Sequence, residues 1–223
     1  MTPVRVRTKL CGITSVHDAE MCVDLGADSL GLNFVSGTKR CISEDTARAI
    51  IAAVGARTLV VGVVANMAVN DLTRLKAELG LHCLQLHGDE TPDFLQYFLP
   101  HAYKAVAVKT PDDLTRARSF GGGYILLDAP PDLGGRTGGT GVSWSYELAA
   151  PLALERRVSL AGGLHAGNVA AAIHAVRPWC VDVASGIEID GARAGEKCQA
   201  RVVAFIDAVT RASAELGSAP PAR

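Results

Sequence analysis

The sequence contains no run of ~18 uncharged apolar residues, the length a bilayer-spanning helix needs, so nothing in it is expected to enter a membrane. Its opening, MTPVRVRTKLCG, lacks the roughly 7–15-residue apolar stretch and small-residue cleavage site of a secretory leader, which predicts a cytoplasmic protein. It has no block of like charge: 22 Lys and Arg against 23 Asp and Glu leave a formal net charge of -1. That balance gives neither nucleic acid nor an anionic membrane an electrostatic hold. The six cysteines form no C-x-x-C, and the nearest two, Cys11 and Cys22, are too far apart for a zinc or iron–sulfur spacing, so no metal is expected. Without a leader, reduced thiols are the default. Linkers, low-complexity stretches and a second domain are missing as well.

Apolar residues are plentiful, 48% of the chain, enough to fill a large core. Short stretches rich in Val, Ile and Leu stand near 4–10, 29–34, 58–65, 82–86, 103–108, 123–128, 157–161 and 180–184. Helical spacing fills the gaps, as in SVHDAEMCVDLGA, where Val16, Ala19, Cys22, Val23 and Leu25 share one face. Thr14 or Ser15, Ser43 and Asn70 are expected to start helices, and LGAD and LGLH to close them. Eight strands alternating with eight helical stretches predict an α/β fold, a single-domain (β/α)8 TIM barrel over residues 1–216. A doubly wound open sheet is the alternative; the count of eight favours the barrel. GSAPPAR, 217–223, has two prolines and no apolar period and reads as a disordered tail.

In such a barrel the chemistry sits where each strand stops. Those positions hold Cys11-Gly12, Asn33-Phe34, Ala65-Asn66, His87-Gly88, Asp128, Ala161-Gly162-Gly163 and Ser185-Gly186. Because side chains alternate along a strand, Lys9 and Cys11 face inward while Val6, Thr8 and Leu10 face the helices. The same parity sets Gln85 with His87, Leu126 with Asp128, and Asp182 with Ala184. Lys9, Asp128 and Asp182 inside one barrel must pair to offset the cost of burying charge, so a purely structural ion pair is one reading of them. By residue type alone Cys11 is a core thiol. Its place at a strand end beside Lys9, a cation that stabilises thiolate, also makes it a candidate base or nucleophile.

LAGGLHAGNV and VASGIEIDG end the seventh and eighth strands. Glycine turns there let backbone N–H groups approach a phosphate, which predicts a small phosphorylated substrate. The stretch 129–144 gathers glycines around Arg136 and has the length of a functional lid. Arg40, in a loop after the second strand, suits a carboxylate, although a lone loop arginine is more often a solvated surface charge.

The segments KLCGIT, GVVAN, LQLHGDE, LLDA, GGTG, LAGGLHAGNV and VDVASGIE, collinear from about residue 5 to 188, resemble the phosphoribosylanthranilate isomerase family of tryptophan biosynthesis. The resemblance implies an Amadori rearrangement by general acid–base catalysis, with neither metal nor organic cofactor. It gives Asp128 the role of acid on the furanose ring oxygen and Cys11 that of base at C2. Substrate would be held by Lys9, Arg40, Gln85, His87, Gly162, Gly163, Ser185 and Gly186, with Arg40 taking the anthranilate carboxylate and the glycine turns the phosphate. That division of labour requires a protonated Asp128 and a Cys11 thiolate. The resemblance leaves open a monomer or a homodimer.

Three places depart from the family pattern. Thr38-Lys39 replaces Ser-Pro, which predicts a less rigid loop behind Arg40. Trp144-Ser145-Tyr146 replaces Phe-Asp-Trp, and Cys198 in GEKC replaces an aspartate. Two other readings compete. A lyase on a similar phosphate-binding barrel would want several strand-end lysines and glutamates, which this chain does not supply. A silent metabolite-binding barrel would not need Cys11 and Asp128 together.

Overall fold

A computed structural model describes residues 5–129 and 146–218. Eight parallel strands, Arg7–Cys11 (β1), Ser29–Asn33 (β2), Leu59–Val64 (β3), Cys83–Leu86 (β4), Ala102–Ala107 (β5), Tyr124–Asp128 (β6), Arg157–Leu160 (β7) and Cys180–Val183 (β8), close in sequence order into a barrel. The helices between and after them are Val16–Asp24 (α1), Glu44–Val54 (α2), Val69–Leu79 (α3), Pro92–Gln96 (α4), Pro111–Ser119 (α5), Ala150–Glu155 (α6), Val169–Val176 (α7) and Gln199–Ser218 (α8). The expected (β/α)8 architecture holds, and the open sheet is excluded by the β1–β8 ladder, which pairs Lys9 with Asp182.

The two faces of each strand explain the near-continuous apolar runs. Outward residues such as Leu10, Leu30, Leu84 and Leu127 join the helices in the main core. Inward residues form a second, smaller cluster of Val61, Tyr103, Ala105, Leu126 and Ala161 that fills the middle of the barrel. Thr8, outward by parity, is buried through hydrogen bonds from its backbone N–H and hydroxyl to Asp28 (2.8 and 3.1 Å).

Local chemistry sets the helix starts. Ser15 and Ser43 cap α1 and α2, accepting from the backbone N–H of Asp18 and Thr46. Asn70 does not cap α3; the cap position is two residues earlier, at Ala68, whose extended backbone ends the loop. The LGAD and LGLH turns contain Gly26 and Gly80 at positive φ, and Gly80 ends α3 in the left-handed conformation. At the carboxyl end α8 runs through Gly217 to Ser218, so the helix overlaps the first residues of the expected tail; residues 219–223 lie outside those described. Among the described residues no helix is long and apolar enough to cross a membrane.

Candidate active site

The carboxyl ends of the strands surround a cavity of about 200 Å³ whose walls include Cys11, Arg40, Gln85, His87, Asp128, Gly162, Gly163 and Ser185. Lys9 and Gly186, both expected to touch substrate, are not among its lining residues. Lys9 is 2% exposed, and its ammonium lies 2.6 Å from Asp182, directly opposite on β8. Gly186 is wedged against the turn after β7, where an added Cβ would fall 2.0 Å from the Leu164 carbonyl oxygen.

Cys11 and Lys9 converge over Gly31 of β2. A Cβ at that glycine would stand 2.6 Å from the Cys11 sulfur and 3.1 Å from the Lys9 ammonium, so only glycine leaves room for both. Burial opposes the Lys9 charge, but Asp182 and then Cys11 outweigh it and hold the ammonium above the ordinary lysine range. The expected thiolate is not what this environment favours. Burial raises the Cys11 thiol, and the opposing pull of Lys9 is smaller, in part because Asp182 already neutralises that lysine. Sequence parity located the cation but could not weigh its attraction against the loss of water.

The Asp128 carboxyl is shifted in the direction that the expected acid role requires. Burial, then the nearby Asp182 charge, push its carboxyl up to about 7, although its Oδ1 accepts a 2.7 Å hydrogen bond from the Ala129 N–H. Its Oδ2 lies 3.6 Å from His87 Nε2. Burial, followed by the charges of Lys104 and Lys9, pushes His87 down to about 4, so the imidazole is neutral at physiological pH.

A buried frame fixes His87. Glu90 accepts hydrogen bonds from the backbone N–H of Asn66 (2.7 Å) and Gly88 (2.9 Å), tying the ends of β3 and β4 together. Lys104 on β5 stands 3.3 Å from Glu90 and donates to the carbonyls of Leu86, Gly88 and Ala105. Asn66 takes a left-handed backbone at φ 52° and its side chain accepts from the Asp89 N–H. The GVVAN and LQLHGDE segments are therefore two halves of one brace.

Arg40 is neither a solvated surface charge nor an unpartnered cation. Its Nε and Nη2 donate to the two carboxylate oxygens of Glu188 at 2.6 and 2.9 Å. Lys197 completes the cluster, donating to Glu188 (3.1 Å) and to the carbonyls of Cys11 (2.8 Å) and Ala184 (3.2 Å). Burial works against the Glu188 carboxylate, but Arg40 and Lys197 hold it below the usual range. Sequence reading assigned no role to Glu188 or Lys197. Their signal was present, since both lie in the quoted VDVASGIE and GEKC segments, but their partner is 148 residues from Glu188 in the chain.

The loop behind Arg40 is tied despite its missing proline. The Thr38 hydroxyl donates to the Val35 carbonyl (2.8 Å) and accepts from the Asn33 side-chain amide (3.1 Å). Tyr146 donates its hydroxyl to the Gly162 carbonyl at 3.0 Å. Arg136, the GGTG segment, Trp144 and Ser145 lie outside the described residues. All six cysteines are free, and among the described residues no group of three or more His, Cys, Asp or Glu could hold a metal.

Both the sequence and the fold have known counterparts. Residues 8–204 match the family model described as N-(5'phosphoribosyl)anthranilate (PRA) isomerase. The N-(5'-phosphoribosyl)anthranilate isomerase of Desulforudis audaxviator is 42% identical over 185 residues, 82% of this chain and 89% of that protein. The crystal structure of phosphoribosyl anthranilate isomerase from Thermotoga maritima superposes with a TM-score of 0.82 at 33% identity, covering 92% of this chain and 99% of that one. A crystal structure of phosphoribosyl anthranilate isomerase in complex with reduced 1-(o-carboxyphenylamino)-1-deoxyribulose 5-phosphate gives a TM-score of 0.80 at 32% identity, over 92% and 99% of the two chains. The chain belongs to the N-(5'-phosphoribosyl)anthranilate isomerase family.

Proposed function

We propose that this protein is a phosphoribosylanthranilate isomerase acting in L-tryptophan biosynthesis in the cytoplasm. It converts N-(5-phosphoribosyl)anthranilate to 1-(2-carboxyphenylamino)-1-deoxyribulose 5-phosphate. The observation that carries this reading is the convergence of Cys11, Asp128, Arg40 and the two late glycine turns on one cavity.

Asp128 is the general acid. Protonation of the furanose ring oxygen lets the C1–O bond break as the anilino nitrogen lone pair forms the C=N bond. The resulting iminium makes the C2 proton acidic, and Cys11 removes it. The enolamine then tautomerises to the ketone. Each step is a proton transfer or a shift of electron pairs within the substrate, so the chain's own side chains suffice. With Asp128 near 7 and the Cys11 thiol raised, the productive pairing of carboxylic acid with thiolate is a minor ionisation state of the free protein. Substrate binding must favour it.

Arg40 receives the anthranilate carboxylate. Glu188 engages the Nε–Nη2 edge of the guanidinium, which leaves the Nη1–Nη2 edge for a second carboxylate. Gln85 and His87 bound the sugar from below. Phosphate is taken by the backbone of Gly162, Gly163 and Ser185, with Gly186 supporting the second turn from behind.

Purified protein supplied with freshly generated phosphoribosylanthranilate should quench its anthranilate-type fluorescence without added metal. Well-folded protein that leaves the fluorescence unchanged would overturn the assignment. Cys11→Ser should lose at least ~10²-fold in kcat, the usual worth of a positioned base, with the fold intact by circular dichroism. Near-native kcat in that variant would transfer the base role elsewhere.

A further inference from the structure

The floor of the cavity carries a hydrogen-bond chain that the acid–base assignment leaves unused. Tyr103 of β5 points inward and is the register partner of Gln85 on β4. Its hydroxyl donates to Gln85 Oε1 at 2.9 Å. Gln85 Nε2 lies 2.9 Å from His87 Nδ1, and His87 Nε2 faces Asp128 Oδ2 at 3.6 Å. The Tyr103 ring is 4% exposed and edge-on to Tyr124, with centroids 4.6 Å apart, so the hydroxyl has little freedom to turn away.

The direction of the chain follows from counting protons. A buried phenol must place its proton on an acceptor, and Gln85 Oε1 is the acceptor that Tyr103 meets. Flipping the amide would set its NH₂ against the hydroxyl and strand that proton. With Oε1 so committed, the NH₂ faces His87 Nδ1, and two donors cannot share one contact. Nδ1 is therefore the bare nitrogen. A neutral imidazole then carries its single proton on Nε2, aimed at the Asp128 carboxyl. Burial raises the Tyr103 phenol well above its ordinary range and pushes His87 down to about 4, which agrees with a protonated phenol and a neutral ring.

We propose that Tyr103 and Gln85 form a tautomer lock that holds His87 as the Nε2–H imidazole, a one-way hydrogen-bond donor to Asp128. Its use rests on the isomerase reading above; its existence does not. In the resting site, 3.6 Å is too long for a hydrogen bond, so the neutral acid is left undisturbed. When Asp128 gives its proton to the ring oxygen, a negative carboxylate appears and Nε2–H closes on it. The lock also removes a rival. With no lone pair directed at Asp128, His87 cannot take the acid proton, which therefore goes to the substrate. Tyr103 and Gln85 are positioning residues in this scheme, acting through His87.

Long-range ¹H–¹⁵N correlation spectra of ¹⁵N-labelled protein read the tautomer directly. His87 would be assigned by loss of its signals in His87→Asn, since the chain has six histidines. The expected result at neutral pH is an unprotonated Nδ1 and a protonated Nε2; the reverse pattern would overturn the proposal. Tyr103→Phe should mix the tautomers and lower kcat about fivefold to twentyfold while KM stays within about twofold, because no substrate contact is lost. An unchanged tautomer with unchanged kcat would count against the lock. Should Tyr103→Phe fold poorly, Gln85→Glu tests the same point without opening a cavity: a carboxylate accepts from both neighbours and should turn His87 to Nδ1–H, and a retained Nε2–H pattern there would count against the scheme. A protein with locked His87 but no turnover overturns the isomerase reading alone. An active isomerase with Nδ1–H overturns the lock alone.

Discussion

At the scale of single residues, Asp128 shows what holding an acid at a strand end costs. Its carboxyl titrates near 7 in the folded protein, against 3.8 for the unperturbed group. The native state therefore keeps a proton that the unfolded chain releases as pH rises from about 4 to about 7, and stability falls across that window. Asp128→Asn has no such titration. Its stability relative to the parent should grow between pH 4 and pH 8 by on the order of 3 kcal/mol, read from denaturation midpoints, while kcat collapses. A parallel pH dependence in the two proteins would mean that Asp128 is not raised. Arg40 and Glu188 separate binding from chemistry. Arg40→Ala should raise KM about tenfold or more with kcat nearly kept, and Glu188→Gln should move KM in the same direction by less, because it frees the guanidinium from its fixed orientation without removing it. Steady-state kinetics of both variants decide this, and an unchanged KM in Arg40→Ala would deny it the carboxylate.

Among the elements, the strands were legible and the helix starts partly so. A strand of this barrel is buried on both faces, so each announces itself as an apolar run, and the period of two then tells inward from outward. That is why Lys9, Cys11, Gln85, His87 and Asp128 could be placed from the chain alone. Asn70 misled because a residue fit to cap a helix need not do so; the α3 start is set by Ala68 and its extended backbone. The Arg40–Glu188–Lys197 cluster was hidden because it joins two loops far apart in the chain, and no local pattern encodes a contact across 148 residues. Tyr103 was hidden differently, as an aromatic inside an apolar strand that reads as core. One element offers a direct stability test. The Cys198 carbonyl accepts from the Val202 N–H at 2.9 Å, which makes Cys198 the N-cap of α8, a position where a thiol bonds poorly to the free amides. Cys198→Asp should add about 1 kcal/mol, seen as a higher unfolding midpoint. A lower midpoint would show that the cap is already satisfied.

For the whole molecule, the Lys9–Asp182 pair sits on the seam where β1 meets β8, with Asp182 7% exposed and Lys9 2%. It closes the barrel and floors the active site at once. Lys9→Met strands a buried carboxylate and should cost about 3–5 kcal/mol in urea unfolding; Lys9→Met with Asp182→Leu, which removes both charges, should recover most of that loss. If the double variant is no more stable than the single one, packing rather than charge holds the seam.

That seam also orders events in time. Lys9 is made 173 residues before the carboxylate that neutralises it. Until β8 emerges during synthesis, β1 has no second neighbour and Lys9 has no counter-charge. Loop closure over that span is among the last contacts a nascent chain can form. A chain interrupted before β8 would carry Cys11 and Asp128 without the strand that closes the barrel around them, so the enclosed cavity exists only once β8 has been made.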